Sequence, residues 1–153
     1  MWQEALQLSS GGGGSTNLPL MLFYDGVFRD KYDLTNGNPK SASVSNGQIV
    51  LTNGASSESY FTRVAWEIDL TNYSELHIEA YTDFVDNMYR RVGYGTQLPT
   101  PTDKNFNEAY YDLTTTKKIY KFDISSVNGK RYVGSFGTNG SAKQYISSII
   151  LLP

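Results

Sequence analysis

Asn46-Gly47-Gln48-Ile49-Val50-Leu51-Thr52-Asn53-Gly54 is the stretch whose reading decides the fold class. Asn and Gly both tolerate positive φ, which the central positions of a type I′ hairpin turn require. Two such dipeptides bracket Gln48–Thr52, which reads as a short strand between two turns. Three more occur at Asn36-Gly37, Asn128-Gly129 and Asn139-Gly140.

Outward from that point the chain keeps a period of two. Leu76, Ile78 and Ala80 alternate with Glu75, His77, Glu79 and Tyr81, the pattern of a half-buried strand. Tyr120, Phe122 and Ile124 alternate with Ile119, Lys121 and Asp123, and Tyr132, Gly134 and Phe136 with Val133 and Ser135. Tyr145–Leu152 ends apolar on both faces, so it reads as a central strand. With Leu20–Tyr24, Tyr60–Ile68 and Met88–Tyr94 the sequence predicts eight or nine strands. No helical period follows the Gly-rich stretch, so the fold class is all-β: an antiparallel β-sandwich, jelly-roll-like in topology.

Composition agrees. The 153 residues include 12 Tyr and 14 Gly but only 18% charged side chains. Gly, Ser, Thr and Asn together make up about a third of the chain. Disordered chains are aromatic-poor and charge-rich, the opposite pattern. No cysteine and a single histidine exclude thiol nucleophiles, zinc ribbons, iron–sulfur sites and any site that needs two imidazoles. A net charge of −2 argues against nucleic acid as a partner. No apolar run approaches the ~20 residues of a spanning helix, so no membrane insertion is expected. No basic segment precedes an apolar core near Met1, so no export signal is expected.

Three units are expected along the chain. Residues 11–17, Gly11-Gly12-Gly13-Gly14-Ser15-Thr16-Asn17, read as a flexible linker. They lack the Lys that a phosphate-binding loop needs. Residues 1–10 carry Trp2, Ala5 and Leu6 at helical spacing, too short a helix to stand alone in water. This segment reads as a partner-docking peptide tethered to the sandwich of residues 18–153.

Several constellations carry residue types suited to chemistry. His77 lies between Glu75 and Glu79, where strand period alone would put a surface histidine. Asp83 with Asp86, or Asp103 with Glu108, could in principle serve glycoside hydrolysis. No nucleophile elbow accompanies them, and the chain reads as non-enzymatic. Asp103–Glu108 begins like a calcium loop, but Glu108 stands where an EF-hand needs Gly and Thr114 where it needs Glu. A looser Ca²⁺ site with Asp112 is compatible with these side chains, and the sequence points to no metal ligand set and no cofactor. Asp-Leu-Thr recurs at residues 33, 69 and 112 and reads as a strand-exit turn.

The best binding surface combines aromatic rings with polar side chains, because a sugar has an apolar C–H face and a polar rim. Thr82–Gly95 supplies Asp83, Asp86, Asn87, Tyr89, Arg90, Arg91 and Tyr94, and the long loop Gly95–Asn107 leads to Tyr110-Tyr111. Asp86, Tyr89, Arg90, Tyr94, Tyr110 and Tyr111 are the candidate glycan-binding residues.

Two segments carry a resemblance. Ile68-Asp69-Leu70-Thr71-Asn72-Tyr73-Ser74-Glu75-Leu76-His77-Ile78-Glu79-Ala80 leads a turn into a core strand, and Tyr120-Lys121-Phe122-Asp123-Ile124-Ser125-Ser126 precedes Tyr132-Val133-Gly134. Over roughly Leu20–Pro153 the chain resembles the small β-sandwich modules of tailed-bacteriophage and prophage virion proteins. The resemblance implies a jelly-roll or galactose-binding-like fold in a capsid-decoration or tail-fibre protein. It implies phage capsid or tail proteins as partners, cell-surface glycans as ligands, a virion location after assembly in the host cytoplasm, and a trimer. It supplies no catalytic residues. The alternative reading is a carbohydrate-binding module of a bacterial surface or glycan-degrading protein.

Overall fold

The computed structural model describes residues 18–29, 33–36, 41–52, 61–86, 89–100, 102–103, 105–138 and 142–153. Its elements are β1 (Leu20–Tyr24), β2 (Val27–Phe28), β3 (Asp33–Asn36), β4 (Ser41–Ser45), β5 (Gln48–Thr52), β6 (Phe61–Asp69), β7 (Glu75–Thr82), β8 (Arg90–Gly95), β9 (Ala109–Asp112), β10 (Lys118–Asp123), β11 (Lys130–Thr138) and β12 (Lys143–Leu152). They form two antiparallel sheets and, among the described residues, no helix. The larger sheet runs β10-β7-β12-β1-β2, with β5 pairing the first half of β12 and β4 outside β5. The smaller runs β3-β6-β11-β8-β9. This is the expected antiparallel sandwich.

Alternation builds the core. Leu76, Ile78 and Ala80 point inward from β7 and are wholly buried, and Ile49 and Leu51 do the same from β5. From the facing sheet come Val64, Trp66, Val92 and Val133. Each fully buried large apolar side chain contributes about 1.5–3 kcal/mol against exposure. β12 is central as expected, pairing β7 on one side and β1 and β5 on the other.

One polar bridge joins the sheets. Gln144 of β12 is wholly buried, and its Nε2 donates to Ser135 Oγ at 2.9 Å and to the Phe136 carbonyl at 3.0 Å. Ser135 Oγ donates in turn to the Arg91 carbonyl at 2.9 Å. The backbone of β8 is thereby fixed from behind.

The turns correct the sequence reading in detail. Asn46 (φ 52°) and Gly47 (φ 74°) form the expected left-handed pair. Asp25 (φ 49°) and Gly26 (φ 78°) form another, creating the two-residue β2 that was not expected. At Asn128-Gly129 only Gly129 has positive φ, so that link is a different turn. The recurring Asp-Leu-Thr is not one device. Asp69 Oδ1 accepts from the backbone N and the hydroxyl of Thr71 at 3.0 and 2.6 Å, a strand-exit turn. Asp33-Leu34-Thr35 instead lies within β3, and Asp112 ends β9 with its carboxylate on Arg91. Residues 1–17, which hold the expected linker and the docking residues Trp2, Ala5 and Leu6, lie outside the described residues, as do Gly37, Asn53-Gly54, Asn87 and Asn139-Gly140.

Candidate functional site

Strand β8 decides the site, because its consecutive side chains point to opposite faces. Val92 and Tyr94 face the core, which puts Arg90 inward with them and Arg91 outward. Register then brings distant residues alongside: Asp112 stands opposite Arg91, and Tyr110 opposite Gly93. A Cβ at Gly93 would collide with the Ala109 carbonyl and the Tyr110 backbone, so only Gly lets β9 lie this close.

On the outer face Arg91 is the organising group. Its Nε donates to Asp112 Oδ1 at 2.7 Å, and its Nη1 donates to Asn105 Oδ1. Its guanidinium carbon lies 4.4 Å from the ring centroid of Tyr89 and 4.3 Å from that of Tyr110. Cation–π contacts of this kind contribute about 0.5–2 kcal/mol each. The two rings keep 38% and 40% of their surface exposed, and they cover the arginine beneath. Tyr89 is held at its backbone as well: Thr138 Oγ1 accepts from its N at 3.0 Å, and Thr138 N donates to its carbonyl at 2.8 Å.

The described residues of the β8–β9 loop, 96–100, 102–103 and 105–108, form one wall and are tied down at several points. Arg63 Nη1 donates to the Pro99 carbonyl at 2.9 Å. Thr100 and Asp103 close a turn on each other. Phe106 is buried edge-on against Phe136, and Asn107 Nδ2 donates to Thr96 Oγ1 at 2.7 Å. Two cavities flank the stack, and both share Tyr89 and Arg91. One of about 320 Å³ lies toward Val85, Asp86 and Leu113. The other, about 410 Å³, lies toward Thr102, Asp103, Asn105 and Tyr110.

The structure brings together Asp86, Tyr89, Arg90 and Tyr110 of the six candidates, and it changes the role of several. Arg90 is a correction. It is only 4% exposed, and its guanidinium is gripped by both Asp86 oxygens at 2.7 and 2.8 Å, with its Nε buried and unpartnered. It anchors the segment before β8, while its neighbour Arg91 holds the surface stack. Tyr94 is also a correction: 8% exposed and edge-on to Phe122 at 5.8 Å, it is a core residue, and burial pushes its hydroxyl pKa up. Tyr111 faces away from Tyr110, with its ring 5.4 Å from Tyr120 and 5.0 Å from Phe122, closing the edge of the sandwich. Arg91 belonged to the surface expected from sequence but not to its six candidates, and Asn105 and Asp112 belonged to neither. Alternation from Val92 was the signal that could have exchanged Arg90 for Arg91.

The other constellations are engaged elsewhere. Asp83 Oδ1 accepts from Lys143 N at 2.8 Å, Asp86 is held by Arg90, and Glu108 is paired with Arg131. His77 Nε2 pairs with Glu75 at 2.9 Å on the other sheet. Among the described residues no group of three or more His, Cys, Asp or Glu is placed to hold a metal ion.

No protein-family model and no curated relative matches the chain. Solved structures do match. A mutant of a family 29 carbohydrate binding module superposes with a TM-score of 0.56 at 9% identity, over 87% of this chain and 89% of that one. Another family 29 mutant, complexed with mannohexaose, gives 0.56 at 9% over 90% and 92%. A family 29 module from Piromyces equi gives 0.53 at 13% over 90% and 91%. At such identities the likeness establishes the β-sandwich fold alone. All three are described as family 29 carbohydrate binding modules, and none of these descriptions supports the bacteriophage resemblance.

Proposed function

We propose that the chain is a non-catalytic carbohydrate-binding module whose sugar site is the Tyr89–Arg91–Tyr110 stack with its two flanking cavities. The observation that carries this reading is the stack itself: two half-exposed rings fixed on one immobilised guanidinium. A pyranose presents a C–H face that covers an aromatic ring, and hydroxyls that need donors and acceptors around it. Asp103, Asn105, Asp112 and Arg91 supply both kinds at the rim. Because the rings are already ordered, little side-chain entropy is lost when a ligand lands on them. The kinship in fold with family 29 modules, one of them complexed with mannohexaose and another with cellulohexaose, supports a hexose chain as the ligand class.

The test is affinity electrophoresis and calorimetry against soluble glucans and mannans. The native chain should bind at least one of them saturably. Tyr89→Ala and Tyr110→Ala should each weaken binding by roughly tenfold, as loss of one aromatic anchor does. Unchanged affinity in both variants would move the site elsewhere, and no glycan binding at all would remove the reading. The same assay on a chain lacking Met1–Ser10 should give unchanged affinity, separating sugar binding from the docking role proposed for Trp2, Ala5 and Leu6.

A further inference from the structure

The two cavities share the wall of Tyr89 and Arg91 but differ in everything else. The larger is lined by hydrogen-bonding groups, Thr102, Asp103, Asn105 and the Tyr110 ring. The smaller adds two apolar side chains, Val85 and Leu113. Val85 is 57% exposed at the rim, while Leu113 is buried and fixed by its backbone N, which donates to the Arg90 carbonyl at 2.8 Å. Both carboxylates of this cavity already accept from arginines: Asp86 from Arg90, and Asp112 from Arg91. The wall is therefore apolar on one side and, on the other, formed by two arginine–aspartate pairs whose negative charge is balanced by the guanidinium groups. A hydroxyl-covered ring would leave Val85 and Leu113 uncovered. A substituent with one methyl and one carbonyl oxygen satisfies both sides: the methyl covers the apolar pair, and the carbonyl, an acceptor without a proton, faces the arginines.

We propose that the cavity bounded by Val85 and Leu113 takes an acetyl group, so that the ligand is an acetylated glycan, with an unsubstituted sugar in the polar cavity beside it. This rests on the carbohydrate-binding reading above and deepens it. The shared chemistry is the acetyl group, whether carried as an acetamide or as an O-acetyl ester.

Calorimetry on the full chain tests it with two matched pairs. The first is the β-1,4-linked hexamer of N-acetylglucosamine against that of glucose. The second is O-acetylated mannan against the same mannan after alkaline deacetylation. At least one acetylated member should bind roughly fivefold or more tighter than its partner, the scale of one apolar group in a partly open pocket. Which pair responds identifies the N- or O-linked source. Val85→Thr, nearly isosteric and at an exposed position, should abolish the preference, bringing the affinity of the acetylated member down to that of its unacetylated partner in the same variant. Equal affinities within both pairs, or a preference that survives in Val85→Thr, would overturn the acetyl assignment while glycan binding stands. Failure of all four ligands to bind would count against the carbohydrate reading itself.

Discussion

Two faces of one strand behave as different materials. The inward face of β8 carries Arg90, Val92 and Tyr94; the outward face carries Arg91, Gly93 and Gly95. Both arginines are largely covered, and both hold an aspartate. Arg90 is covered by the fold, and its aspartate lies only four residues away on the preceding segment. Arg91 is covered by aromatic rings that themselves face solvent, and its aspartate arrives from β9. The same Arg–Asp pair is an internal anchor on one face and the frame of a recognition surface on the other. What separates the roles is a single step along a strand of period two.

The largest effect expected from this contrast is between two tyrosines. Tyr94→Ala empties a core position beside Phe122 and should cost about 3–4 kcal/mol in urea unfolding. Tyr110→Ala removes a half-exposed ring from the outer face and should cost less than about 1 kcal/mol, although it weakens sugar binding. Similar losses of stability in the two variants would break the division into structural and recognition faces.

The two aspartates give the next largest difference. Asp86→Ala leaves the Arg90 guanidinium buried without its bidentate partner and should cost about 3 kcal/mol. Asp112 is mostly exposed, and without it Arg91 keeps Asn105 and both rings. Asp112→Ala should therefore cost no more than about 1 kcal/mol. Equal costs, read from denaturation midpoints at constant m-value, would show that Arg91 is as much an anchor of the fold as Arg90.

This contrast also explains what was legible in the sequence. β5 and β7 were legible because one face of each is continuous hydrophobe, and the register of such strands is fixed by burial. β2, β3, β4 and β9 were not, because two to five residues are too few to display a clear period. The Asp25-Gly26 turn was visible as a dipeptide, but the strand it creates has only Val27 and Phe28. The site was half legible. Tyr89 and Tyr110 could be named from composition and loop length. Their meeting on Arg91 depends on register between strands β8 and β9, where Arg91 meets Asp112 across 21 residues, a non-local pairing that no local pattern encodes. Tyr94 lies in the core and Tyr111 at the sandwich edge, apart from the stack, because tyrosine suits a core edge as well as a sugar platform.

The smallest expected effect separates both arginine pairs from a second class of carboxylate at the opposite end of the sandwich. Asp69 Oδ1 accepts from the hydroxyl and the backbone N of Thr71, and Asp123 Oδ1 accepts from the same two groups of Ser125. These hydrogen bonds, the side-chain ones foremost, favour the ionised form and hold both carboxyls below their ordinary 3.8. A carboxyl whose pKa is lower folded than unfolded contributes stability that is fully present above the unfolded value. That contribution is lost as the pH falls from 3.8 through the depressed folded value. Asn accepts the same turn hydrogen bonds without titrating. The double variant Asp69→Asn/Asp123→Asn should therefore show a shallower decline of stability in this acid range and an unchanged fold near neutrality. Urea midpoints measured down an acid series would show it. An unaltered acid slope would mean that these exposed turns do not carry the acid response.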